Sequence, residues 1–575
     1  MYRIDADAPP YASLDTPAGP VPAGQPWWNP QRASQMPYQR YRRPARPVEL
    51  PDRTWPTRTL HRAPLWCSVD LRDGNQSLPR PMNQHRKEQM FQLLVRMGFK
   101  EIEVGYPSAS STDFDFVRHL IDDDLIPDDV TISVFTPARP ELIERTFDSI
   151  RGADRAMVHL CNAVAPLWRD VVFGLDQEQT LAMATNAARV VLRLADAMPE
   201  TETRFEYSPE VFNLTEPDFA LRVCDSVSEI WEASPDRPVT INLPTTVEAH
   251  SPNLFADQVE WMHRRLRRRS AVILSVHPHN DRGTGVASAE LALLAGADRV
   301  EGCLFGNGER TGNVCLPTLA LNLFSSGIDP QLDFSDIDGI RGTVEYCNKI
   351  AVHDRHPYVG DYVYTAFSGT HQDAIHKGLV ALDRVAEQRG TSAAGIPWNV
   401  PYLPVDPKDV GRSYESVVRV NSQSGKGGIA YVLSNRYGLR LPRGLQVELS
   451  KVVQSETDSA GEELTAKELW ELFCEEYLAT RSPLTLGGLE AVSDGGGDDA
   501  VAAYLDGARR LGHTVDLDEH SSHEVTDDDG TRTAVYLRVV LDGRPSWGVG
   551  LHRRPEVAAA SAVVSAVNRA VGPAE

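Results

Sequence analysis

Between about residues 64 and 324 the chain repeats one unit eight times: a short apolar, β-branched run followed by an amphipathic stretch of helical period. The apolar runs fall at 64–70, 101–106, 131–136, 155–161, 203–208, 238–243, 271–277 and 299–304, and the helical stretches at 83–97, 112–121, 140–149, 178–197, 216–232, 253–268, 284–295 and 314–323. A helix after every strand lets successive strands lie parallel, and a parallel sheet covered on both faces needs continuously apolar strands. Eight such units in about 260 residues match an α/β fold of the (β/α)8, or TIM-barrel, type. A doubly wound sheet is the competing arrangement, but it rarely uses eight consecutive units.

A barrel of this kind carries its chemistry at the C-terminal strand ends. The seventh run ends in Val276-His277-Pro278-His279-Asn280-Asp281, and alternate strand residues share a face, so both histidines can grip one ion. A lone His-x-His also arises by chance. Here the first run ends in Val69-Asp70-Leu71-Arg72-Asp73-Gly74, which adds a carboxylate, a guanidinium and a turn glycine. One carboxylate and two imidazoles leave coordination positions open, as a catalytic metal requires, and admit Zn, Mn, Co or, with water, Mg. The other polar residues at strand ends are Glu103, His159, Glu206, Ser208, Glu210, Thr245, Thr246, Asn307, Glu309 and Asn313. Buried charges need partners, which a shared metal and an anionic substrate would supply. Gly306, Gly308 and Gly312 make the last loop able to approach a ligand through its backbone.

At 575 residues the chain exceeds one core, so several domains are expected. A formal net charge of −22 argues against a nucleic-acid surface. The local exception, Arg264, Arg265, Arg267, Arg268 and Arg269, sits at a helix end, where cations complement the dipole. The seven cysteines are scattered, without Cys-x-x-Cys, as expected of buried thiols in a reducing cytosol. With no apolar signal core and no stretch of membrane-span length, a cytoplasmic protein that binds neither membrane nor nucleic acid is expected.

Residues 1–48 are proline-rich and read as an extended N-terminal arm, or a disordered tail over 1–25. The barrel occupies 49–328. Residues 329–483 lose the rhythm, with helices expected near 372–388, 413–420, 426–434 and 464–479 and a Pro-rich loop at 397–408. There Ser368-Gly369-Thr370-His371 puts a histidine at a helix start, where a capping role is the plain alternative. Residues 484–575 form a separate α+β unit: a helix (498–511), strand-like runs (513–525 and 532–542) about the Asp527-Asp528-Asp529-Gly530 turn, and a helix over 555–571.

The motifs Leu71-Arg72-Asp73-Gly74-Asn75-Gln76, Glu103-Val104-Gly105, Glu206-Tyr207-Ser208-Pro209-Glu210, His277-Pro278-His279-Asn280-Asp281, the 306–313 loop and Phe367-Ser368-Gly369-Thr370-His371-Gln372 together resemble the 2-isopropylmalate synthases. The likeness is to their longer class within the Claisen-condensing barrels and runs from about residue 36 to about 478. It implies condensation of acetyl-CoA with a 2-oxo acid, usually 3-methyl-2-oxobutanoate, followed by thioester hydrolysis. It further implies Asp73, His277 and His279 as ligands of a divalent metal (Mg, Mn or Zn), Asn313 beside them, and room for a monovalent cation activator. Arg72 would stabilise oxyanion charge, His159, Ser208, Thr246 and Phe135 would place the substrate, and Glu210, His371 and Tyr402 would serve proton removal from acetyl-CoA. His371 and Tyr402 would reach the partner's barrel in a homodimer. The chain departs from the pattern at Phe135, where a leucine is usual, and at Cys161-Asn162-Ala163-Val164-Ala165, so related alkylmalate, citramalate or homocitrate synthesis stays open, as does a metal-dependent carbon–carbon lyase. The last unit resembles a leucine-sensing regulatory domain, but Leu551-His552-Arg553-Arg554-Pro555 replaces its acidic segment, which leaves the effector open.

Overall fold

The computed structural model describes residues 13–16, 19–22, 35–41, 47–366, 368–412, 426–460, 464–479, 501–502, 505–506, 509, 512–527 and 530–571. They belong to two compact units, Met1–Arg46 and Pro47–Glu575. In the first, β1 (Ser13–Thr16) and β2 (Gly19–Pro22) pair antiparallel. The arm is therefore not merely extended. Both strands of a two-stranded ribbon are edges, where proline is tolerated because its missing N–H breaks no central ladder. The question of order over 1–12 lies outside the described residues.

The second unit begins with eight parallel strands: β3 (Leu65–Ser68), β4 (Glu101–Gly105), β5 (Thr131–Pro137), β6 (Arg155–Ala163), β7 (Glu202–Glu210), β8 (Val239–Thr245), β9 (Val272–Pro278) and β10 (Arg299–Gly302). They close into a barrel in the order β10-β3-β4-β5-β6-β7-β8-β9. The outer ring comprises α1 (Gln84–Met97), α2 (Ser111–Asp122), α3 (Pro140–Ile150), α4 (Gln177–Asp196), α5 (Pro217–Ile230), α6 (Pro252–Arg265), α7 (Gly285–Leu294) and α8 (Leu316–Ser325). Local signals set these helices. Asn83, Ser110 and Asp176 cap α1, α2 and α4 through their side chains, and proline occupies the first turn of α3, α5 and α6. Outward strand residues such as Ile102, Val104, Ile241 and Leu274 are fully buried against the ring. The arginine run at the end of α6 is tied down residue by residue: Arg264 to Asp52, Arg265 over Trp261, Arg267 to Asp225, Arg268 to the Ala233 carbonyl and Arg269 to Asp298.

Beyond the barrel lies α9 (Ile337–Asn348), which the sequence reading missed because Gly339 and Gly342 dilute its pattern. Its Ile337, Ile340, Val344 and Cys347 nevertheless face the core at helical spacing. Next come α10 (Gly369–Arg389), α11 (Lys426–Tyr437), α12 (Arg443–Ala460) and α13 (Ala466–Phe473). Helix α12 was also unforeseen, and the helix expected near 413–420 lies outside the described residues. The terminal sheet has three antiparallel strands: β11 (Val515–Asp527), β12 (Gly530–Leu541) and an unanticipated β13 (Arg544–His552). The turn at Asp528-Asp529 lies outside the described residues, but Asp527 pairs with Gly530, as a hairpin requires. Alternate residues of this sheet feed two cores: Ala534, Tyr536, Trp547 and Val549 meet α11–α13, whereas Val535, Leu537 and Val539 meet the helix Pro555–Val571. A Cβ on Gly548 or Gly550 would lie 2.0 and 1.8 Å from the carbonyls of Ala562 and Ala558, so these glycines serve close helix–sheet packing. Among the described residues no helix is long and apolar enough to cross a membrane, and all seven cysteines are free.

Candidate active site

Strand β3 ends in a π-helical turn, Asp70–Gly74, whose extra residue per turn aims Arg72 and Asp73 together at the barrel mouth. Arg72 Nε donates to Glu103 Oε2 at 2.5 Å and Nη1 to Asp73 Oδ1 at 2.7 Å. Both charges are nearly excluded from water, so each holds the other ionised. Burial would raise Asp73, but the guanidinium and two imidazoles keep its carboxyl well below the usual range.

The imidazoles come from the end of β9. His277 Nε2 lies 3.8 Å and His279 Nε2 3.9 Å from Asp73 Oδ2, and the rings stack at 5.3 Å. Asn313 joins these residues from the last loop: its Nδ2 donates to Asp73 at 2.7 Å, and its Oδ1 sits 2.7 Å from His277 Nε2. Behind His277, Glu301 Oε2 lies 2.8 Å from Nδ1 and fixes the ring. Burial alone would depress His277, yet Asp73 and Glu301 outweigh it and push it up to about 10. Burial and the neighbouring His277 charge lower His279 to about 4. These residues fit a divalent cation: a carboxylate oxygen and two imidazole nitrogens converge within 4.8 Å, and His279 Nδ1 is buried without a hydrogen-bond partner.

A second cluster, His159, Glu206 and Glu301, has ligand-like spacing too. It is already satisfied by protein: Arg299 reaches Glu301 at 2.7 Å and Glu206 at 3.2 Å. His159 itself has both ring nitrogens engaged, Nδ1 with Glu103 at 2.7 Å and Nε2 with Ser208 Oγ at 2.7 Å. Ser208 Oγ also accepts from Asn242, whose amide donates to Glu301 as well. A hydrogen-bonded belt thus runs from Arg72 through Glu103, His159, Ser208, Asn242 and Glu301 to His277. Such closed networks fix side-chain geometry.

The cavity above the belt has a volume of about 260 Å³ and is lined by Arg72, Asp73, Phe135, His159, Ser208, Glu210, Thr246, His277 and His279. Nine of the twelve sequence-nominated residues therefore meet in one space. Phe135 is a wall and a shelf: its ring meets Tyr106 edge-on at 5.0 Å and His159 at 5.2 Å, and the Arg72 guanidinium lies 4.7 Å over its face. Burial raises the Glu210 carboxyl above its ordinary range, although Arg72 opposes this. Thr246 Oγ1 accepts from the Val211 amide at 2.9 Å, and its carbonyl accepts from Arg310, which also pairs with Asp281. Asn313 sits just behind the cavity, fully inside. His371 and Tyr402 do not line it. They stack on each other at 4.0 Å, both exposed, with Tyr402 held at φ 64°. Ser368 makes no side-chain cap to α10, so the helix-cap reading of that segment does not hold.

Tyr106, Asn242, Pro244 and Arg310 line the cavity without having been nominated, and Arg299 and Glu301 support it from below. Their signal was present: Thr240 and Asn242, and Arg299 and Glu301, are polar at alternate positions of runs that must be buried on both faces.

Residues 63–344 match the HMGL-like family, 361–434 the alpha-isopropylmalate synthase post-catalytic domain-like family, and 483–571 the LeuA allosteric (dimerisation) domain. The chain is 53% identical to the 2-isopropylmalate synthase of Mycobacterium leprae, over 97% of this chain and 96% of that protein. It is 58% identical to the enzyme of that name from Nocardia farcinica over 90% of each chain, and 54% identical to that from Parafrankia sp. over 94% of this chain and 99% of the relative.

Proposed function

The chain belongs to the 2-isopropylmalate synthases, acyltransferases of leucine biosynthesis, and we propose that its barrel joins acetyl-CoA to 3-methyl-2-oxobutanoate and hydrolyses the thioester to 2-isopropylmalate and CoA. The observation that carries this reading is one small cavity holding a fixed guanidinium, a carboxyl of raised pKa and a three-ligand cluster. Asp73, His277 and His279, with Asn313 beside them, would hold a divalent cation (Mg, Mn or Zn), which would supply Lewis-acid polarisation of the keto group. Arg72, pinned by Glu103 and Asp73, stabilises the charge that develops on the keto oxygen as the carbon–carbon bond forms. Ser208, Thr246 and His159 orient the 2-oxo acid, and Phe135 bounds its side chain.

Removal of the methyl proton falls to Glu210 acting with His371 and Tyr402 of the second copy in a homodimer. Support for this division comes from the exposed, stacked His371–Tyr402 pair in the 329–483 region, away from its own chain's cavity. The 484–575 region is then regulatory, and the free thiols fit a cytoplasmic enzyme.

The deciding experiment is CoA release by purified protein with divalent metal, acetyl-CoA and each of 3-methyl-2-oxobutanoate, pyruvate, 2-oxobutanoate, 4-methyl-2-oxopentanoate and 2-oxoglutarate. The highest kcat/KM is expected with 3-methyl-2-oxobutanoate. A higher value with another acid would overturn the assigned substrate while keeping the condensation.

A further inference from the structure

Lys87 is a lysine with 0% exposure on the buried face of α1, and its side chain does not line the cavity. All three donors of its ammonium are spent. Nζ donates to Asp113 Oδ1 at 2.6 Å, to the Leu71 carbonyl at 3.2 Å and to the Val104 carbonyl at 3.4 Å. Each carbonyl belongs to a break in regular structure. Leu71 lies in the π-helical turn and directly precedes Arg72. Val104 lies where the register of β4 against β5 slips between Glu103 and Gly105, the kind of bulge that re-aims neighbouring side chains.

Asp113 carries the other half of the arrangement. Its Oδ2 accepts from the Tyr106 amide at 2.8 Å, and it approaches β4 so closely that a Cβ on Gly105 would lie 3.2 Å from it. Tyr106 braces Phe135 edge-on, and Phe135 lies under the Arg72 guanidinium. Two arms thus leave one ion pair and converge on Arg72, one through the main chain at Leu71 and one through the aromatic pair. Fold stability is a weak account of a charge in this place, since a buried ion pair is often no more stabilising than an apolar pair of similar volume.

We propose that the Lys87–Asp113 pair is a positioning clamp for Arg72, an inference that rests on the condensation reading above. Removing the clamp leaves every group in the cavity present but lets the guanidinium move, and a displacement of about 1 Å at a reacting centre costs about a hundredfold in rate.

The test is a kinetic cycle on CoA release with Lys87→Met and Asp113→Asn, each made in the native chain and in an Arg72→Lys background. Leu120→Ala, on the buried face of α2, serves as a purely structural control. The native chain must turn over first. If it is silent with every 2-oxo acid, the activity reading falls and the clamp falls with it. Given turnover, Lys87→Met is expected to lower kcat ten- to a hundredfold with the KM for acetyl-CoA little changed. In the Arg72→Lys background the same change should cost less than about twofold, because the group it positions is already gone. Leu120→Ala should lower Tm and leave kcat within about twofold. A folded Lys87→Met protein with native kcat, or equal losses in both backgrounds, overturns the clamp alone. If Lys87→Met does not fold, the same cycle on Asp113→Asn, whose one amide oxygen can still accept from the Tyr106 amide while the ion pair with Lys87 is lost, decides between these outcomes.

Discussion

Asp70 opens the turn that carries Arg72 and Asp73, and its carboxylate accepts from Ser68 Oγ at 2.8 Å and from the Leu304 amide at 3.1 Å. Complete burial outweighs these bonds and pushes its pKa up to about 7. The folded chain therefore binds a proton there that the unfolded chain, with an ordinary carboxyl near 3.8, has released. Stability from this group is full below the unfolded value, falls as pH rises toward 7, and is flat above, a loss of about 4 kcal/mol at most. Asp70→Asn keeps an acceptor and carries no charge, so urea unfolding at pH 8 is expected to show a more stable protein whose stability no longer falls between pH 5 and 7. An unchanged pH profile would mean that Asp70 is not the source. At this scale Asp73, His277 and His279 were legible because each motif is contiguous and its period places the side chains. Glu301 and Arg299 showed only as polar positions in a buried run, and Lys87 not at all, because their partners, such as Glu206 for Arg299 and Asp113 for Lys87, lie on other elements.

The loop from Gly306 to Asn313 is the element that turns a strand end into a site. Gly312 holds φ +98°, and a Cβ there would lie 1.8 Å from the Gly306 carbonyl. Neither the dihedral nor the space admits a side chain. Gly312→Ala is expected to displace Asn313 from Asp73 and His277, weaken titrated Mn binding at least tenfold and lower Tm by several degrees. Native metal affinity in this variant would show that the loop is not what seats Asn313. Elements were legible in the sequence where apolar periodicity was strong, as in all eight barrel strands. They were missed where the code was diluted: α9 contains two glycines, α12 interleaves Leu445, Leu449 and Val453 with charges, and β13 spends Gly548 and Gly550 on contact with a helix. These segments gain their order from tertiary burial, which outweighs weak propensity.

For the molecule as a whole, the proposed function has a second copy supply His371 and Tyr402 to the site. Mixing Arg72→Ala and His371→Ala chains, each inactive alone, and letting subunits exchange should restore about a quarter of native CoA release: half the dimers are mixed, and each has one intact site of two. No recovery in verified mixed dimers would place His371 in its own chain's site. The sequence by itself determined the α/β barrel, the mouth at which polar residues gather and the His-x-His pair at a strand end, because these follow from local period and adjacency, which chain order carries. Only the tertiary structure decided that Phe135 lies under Arg72, that His159 is held between Glu103 and Ser208, and that Lys87 closes two backbone breaks. Those contacts join residues far apart in the chain, and the packing that joins them depends on volumes and angles that no local pattern encodes.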